Sequence, residues 1–175
     1  MAISLNGWQA LPNSSDPRLK WQPIPGTSRK VLVRRMTGPL FGAFCADWHA
    51  LMPARLKLDR GPVDGWEYRD PRLASGNRLS NHASGTAVDL RYDVLLADQQ
   101  RHMTDAERAT MEKLLDTYVL EDGRRIFRWG GYWNAVDEMH TEIAPGMTRA
   151  DVKAVIKRLR IDDAGTRPAG PVSGR

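Results

Sequence analysis

The chain has 175 residues, 41% of them hydrophobic and 27% charged, which suits one globular domain with a core and excludes a disordered or fibrous protein. A net charge of +5 points to an anionic partner, but Arg34-Arg35 and Arg124-Arg125 are isolated pairs, so no basic run reads as a nucleic-acid tail. Cys45, the only cysteine, excludes an internal disulfide, and neither a membrane-spanning stretch nor a secretory signal is seen, so synthesis in the cytoplasm is expected. In chain order, residues 1–29 are rich in Pro, Ser, Asn and Gly and read as an extended arm anchored by Trp8, Leu11 and Trp21. Val31-Leu32-Val33 is a strand, and Pro39 to Met52 carries apolar residues at helical spacing. His49 on that helix reads as a boundary or surface histidine, and Cys45 as a small core residue.

A polar connection leads to Trp66-Glu67-Tyr68-Arg69, read as a short strand, and a Pro- and Gly-bearing loop then delivers His82. Gly85 permits a tight turn, after which Thr86 to Arg91 alternates as a strand with Ala87 and Asp89 on one face. Thr104-Asp105-Ala106-Glu107 is a capping box for a helix to about Val119, with Met111, Leu114, Leu115 and Tyr118 inward. Ile126 to Trp129 is a strand, followed by Gly130-Gly131-Tyr132-Trp133. Met139 to Ile143 is another, with His140 and Glu142 on one face, and Thr148 caps a last helix. Residues 163–175 read as a disordered tail behind a single domain of residues 1–162.

Two stretches carry chemistry. Ser80-Asn81-His82-Ala83-Ser84-Gly85-Thr86-Ala87-Val88-Asp89 sets an imidazole and a carboxylate seven positions apart, and Asp137-Glu138-Met139-His140 adds a second imidazole. Two histidines and an aspartate are three ligands of the kind zinc takes, the number a catalytic zinc uses. Asp89 lies among apolar strand neighbours, where an unpaired carboxylate is costly and a cation would compensate it.

These residues resemble the zinc D-Ala-D-Ala carboxypeptidase and endolysin family, whose motifs read Ser-x-His-x-x-Gly-x-Ala-x-Asp and, later, Asp/Glu-x-x-His. The resemblance covers residues 65–145 by motif. It implies an α+β fold of the DD-peptidase and Hedgehog type: a small antiparallel sheet bearing the metal ligands, with helices outside. It implies one zinc ion on His82, Asp89 and His140, with Asp137 as general base and Glu142 as runner-up or as a group orienting a ligand. Tyr68-Arg69 matches a family pair in which the arginine polarises the substrate, and Arg78 is the alternative. Ser80, Trp129 and Trp133 are further candidates for substrate binding. The implied function is hydrolysis of peptidoglycan stem peptides by a monomeric phage lysin, acting on the wall after release by another agent, without nucleic acid or membrane insertion. The alternatives are a carboxypeptidase that trims terminal D-alanine and a non-catalytic zinc-bearing wall-binding module.

Overall fold

The computed structural model describes residues 2–68 and 78–168. The elements follow in the order β1 (Ile3–Ser4), β2 (Leu19–Pro23), β3 (Lys30–Arg34), α1 (Gly38–Leu51), β4 (Val63–Asp64), β5 (Arg78–Leu79), β6 (Ala87–Leu90), α2 (Asp105–Thr117), β7 (Phe127–Trp129), β8 (His140–Ile143) and α3 (Arg149–Leu159). The fold is α+β. Strands β4, β6, β8 and β7 lie side by side in that order as an antiparallel sheet, β2 and β3 form an antiparallel hairpin, and β1 pairs in parallel with β5.

Alternation along the strands divides the four-stranded sheet into two unlike faces. Val88 and Leu90 on β6, Ile143 on β8, and Phe127 and Trp129 on β7 turn to the core. There Phe127 meets Phe44 and Phe41 of α1 at ring-centroid distances of 4.6 and 5.3 Å, and Tyr118 at 5.5 Å. Both later helices open on capping boxes, Thr104 with Glu107 and Thr148 with Asp151, so their first N–H groups are satisfied by their own side chains. The other face of the sheet carries Asp89, His140, Glu142 and Arg128. Register fixes this set, because Asp89 faces His140 across β6 and β8, and Glu142 faces Arg128 across β8 and β7.

Three expectations are corrected. The arm of residues 1–29 contains β1 and β2, and β2 pairs with β3 along its whole length; Leu19 is buried, whereas Trp21, expected as an anchor, is 61% exposed. The strand read at Trp66 to Arg69 is absent from its described part. The strand falls instead at Val63–Asp64, and Gly65 ends it by lying flush against β3, where an added Cβ would come within 2.3 Å of the Leu32 carbonyl. Finally, the first part of the expected disordered tail is ordered against the domain. Gly165 packs on the backbone of Gly42 in α1, and Arg167 Nε lies 2.8 Å from Asp47, which also accepts the Tyr118 hydroxyl at 2.7 Å. Residues 169–175 lie outside the described residues.

Candidate metal centre

Ser80 starts a 3₁₀ turn at Asn81–Ser84 by accepting the His82 N–H at 3.3 Å, which places His82 at the head of β6. Gly85 closes the turn at φ +66°, and a Cβ there would come within 2.5 Å of the Arg34 nitrogen. Arg34 secures the turn from β3, its backbone N–H donating to Gly85 O at 2.8 Å and its Nε to Ser84 O at 2.9 Å. Burial, with Arg18 and Arg149 nearby, pulls this guanidinium down to about 10.

The turn and the two central strands bring three ligand atoms together. His82 Nε2 lies 3.1 Å from both Asp89 Oδ1 and His140 Nδ1, and His140 Nδ1 lies 2.9 Å from Asp89 Oδ1. All three residues are buried. The outer nitrogen of each ring is also engaged. His82 Nδ1 meets the carbonyl of Gly65, and His140 Nε2 lies 2.9 Å from Glu142 Oε2. A carbonyl and a carboxylate only accept, so the outer nitrogens carry hydrogen. In neutral rings the inner nitrogens then present lone pairs toward each other and toward a carboxylate oxygen. Such a convergence is repulsive unless a proton or a metal cation lies within it.

The electrostatics agree. Burial alone would depress His140, but hydrogen bonds to Asp89 and Glu142 raise it from 6.5 to about 10. Burial likewise disfavours the Asp89 anion, yet His82 and His140 hold it well below the usual carboxylate range. The donor set therefore fits a divalent metal of the zinc type, with outer partners that fix ring orientation in the way metal-ligating histidines require.

Glu142 is the keeper of His140. Besides the imidazole it accepts Asn81 Nδ2 at 2.5 Å and pairs with Arg128 Nε at 3.0 Å. Burial opposes its charge, but His140 and these neighbours hold its pKa below 4.5. Asn81 is held in turn by the backbone N–H of Asn6 at 2.8 Å. Asn6 Nδ2 also donates to Thr86 Oγ1 and Ile143 O, at 2.9 and 3.0 Å. Sequence reasoning missed Asn6, Asn81, Arg128 and the Gly65 carbonyl. Asn81 sits inside the first motif and was the one signal available; a main-chain carbonyl leaves none.

Asp137 is half-buried in the turn before β8, where its N–H donates to Gly130 O at 3.0 Å and its carbonyl accepts the His140 N–H at 3.2 Å. Glu138 turns away from the cluster. It is buried, pairs with Arg108, and accepts the N–H groups of His102 and Met103, each at 2.6 Å. Trp133 lies against His140, ring centroids 5.1 Å apart. Trp129, expected to wall a groove, is instead wholly buried and donates Nε1 to Glu138 O at 2.8 Å. Tyr68 is 46% exposed. Arg69 lies outside the described residues, and of Arg78 only the backbone, in β5, is described.

Residues 74–143 match a family model described as D-alanyl-D-alanine carboxypeptidase. The matched segment contains the cluster residues His82, Asp89 and His140 as well as Asp137, and the likeness supports a hydrolytic peptidase. No curated protein and no solved structure matches the chain. No helix among the described residues is long and apolar enough to cross a membrane.

Proposed function

We propose that the protein is a zinc peptidase that hydrolyses peptidoglycan stem peptides at an internal bond, in the manner of phage lysins. One observation carries the reading: His82 Nε2, His140 Nδ1 and Asp89 Oδ1 converge within 3.1 Å while both outer ring nitrogens are engaged. One zinc per chain, held by these three residues, would supply a Lewis acid that acidifies an attacking water and polarises the scissile carbonyl. Asp137 takes the proton from that water and returns it to the leaving amine. Glu142 is poorly suited to this, because its Oε2 is engaged by His140 and Asn81 and its Oε1 is paired with the Arg128 cation. Its role is to hold the His140 ring. Arg69, the arginine of the Tyr-Arg pair, is assigned to polarise the substrate carbonyl.

A second reading, removal of terminal D-alanine, is favoured by the description of the matching family. Digestion of purified wall followed by mass spectrometry separates the two. New amino termini inside the stem, most readily at L-Ala–D-Glu, support the endopeptidase, and release of free D-alanine alone establishes the carboxypeptidase. Reducing sugar without new amino termini would refute both.

A further inference from the structure

We infer that Arg128 is a specificity residue that receives a free carboxylate of the peptide substrate; the inference rests on the peptidase reading above. Register places Arg128 on the same sheet face as the metal ligands, opposite Glu142 and one strand over from His140. Strand spacing and rise set its Cα about 8 Å from that of His140, roughly two residues along an extended peptide. The guanidinium is fixed on two sides. Nε pairs with buried Glu142 at 3.0 Å, and the guanidinium carbon lies 4.8 Å from the Trp133 ring centroid. Trp133 in turn rests on His140.

Yet the Arg128 side chain is 45% exposed, and its two Nη groups make no hydrogen bond among the described residues. A planar donor fork that sits beside Glu142 and over Trp133, with its Nη edge open, matches a carboxylate geometrically. The Glu142 charge beside it is offset on Oε2 by His140 and Asn81, and Arg128 is the cation next to its Oε1, so a substrate carboxylate would share this guanidinium with Glu142. Stem peptides offer carboxylates both at the chain terminus and on side branches, and the position of Arg128 away from the cluster suits either.

The test uses the full zinc-loaded chain, a stem peptide with all carboxylates free, and versions in which the terminal or a branch carboxylate is amidated. For the wild type, amidating the recognised carboxylate should raise KM by about 10- to 100-fold, the range of a charge-assisted hydrogen bond, with little change in kcat. Which amide does so identifies the carboxylate. R128Q should raise KM of the free acid to the same level and become indifferent to amidation. R128K, which keeps a cation beside Glu142 but loses the fork, should keep zinc content and kcat while recovering only part of the KM. Equal KM for acid and amides in the wild type would overturn the proposal alone. So would R128Q lowering kcat or zinc content alike on acid and amides, which would show Arg128 acting through Glu142 and His140. Absence of turnover of any peptide by the wild type would overturn the peptidase reading, and this proposal with it.

Discussion

The two faces of the four-stranded sheet are built from the same strands and do opposite things. Toward the helices, Val88, Leu90, Phe127, Trp129 and Ile143 fill the core with apolar volume. On the other side, one residue along in each strand, Asp89, His140, Glu142 and Arg128 carry charge, and all but Arg128 are buried. The core face is maintained by close packing, to which any well-shaped hydrophobe contributes. The site face is maintained by named donors and acceptors, with His82 on the Gly65 carbonyl and His140 on Glu142. A substitution on one face should thus be read in stability, and on the other in chemistry.

The comparison breaks most visibly at the ligands. His82→Ala, Asp89→Ala and His140→Ala should each abolish stoichiometric zinc binding and hydrolysis, because each removes one of three protein ligands. Metal analysis of the purified variants decides this, and full zinc in all three would end the assignment. Asp137→Asn should keep zinc and fold but lose about 10²–10⁴-fold in turnover, the usual worth of general acid–base assistance. Glu142→Gln should instead weaken zinc binding by about 10- to 100-fold, as the loss of an outer partner does. If turnover collapsed in Glu142→Gln and survived in Asp137→Asn, the two roles would be exchanged.

On the core face, Phe127→Ala should cost about 3–5 kcal/mol of stability, since its ring lies among Phe41, Phe44 and Tyr118. Zinc stoichiometry of the folded fraction should be unchanged, and denaturant melts with metal analysis would show whether the faces are separable. The site face should also respond to pH. His140 is raised from 6.5 to about 10, so in metal-free protein the stability linked to its proton is present below 6.5 and lost as pH rises toward 10. Zinc displaces that proton, so its affinity should climb about tenfold per pH unit across this window. Calorimetry in buffers of different ionisation enthalpy would measure the released proton, and none released would count against the lone-pair arrangement. The smallest expected effect lies far from both faces. Arg167→Ala should lower stability by about 1 kcal/mol by leaving half-buried Asp47 with one fewer donor, without altering turnover.

The cluster was legible because metal chemistry restricts residue type and spacing together, and the structure brings His82, Asp89 and His140 to one place. The helices were legible from periodicity and capping boxes. Strand β2 was hidden because Pro, Ser and Asn around it mimic loop composition, so Trp21 was read as buried. The docking of Gly165 on Gly42 depends on the absence of a side chain at Gly165, and no apolar pattern announces it. Trp129 and Trp133 looked equivalent in sequence. Strand alternation sends Trp129 into the core, while Trp133, just after a 3₁₀ turn at Gly130–Tyr132, reaches His140.

The clasp made by Asn6 has a consequence for modularity. Its bonds to Asn81 and to the Ile143 carbonyl span 75 and 137 residues of sequence. Closing loops of that length draws on chain entropy that only a completed domain offsets. The segment 74–143 contains every atom of the cluster but lacks the Gly65 carbonyl behind His82 and the Asn6 amide beneath Asn81. Excised or grafted elsewhere, it would carry the ligands without the means of aiming them. A transplantable unit must include the early residues of the chain, Asn6 among them, although Asn6 reaches the cluster only through Asn81.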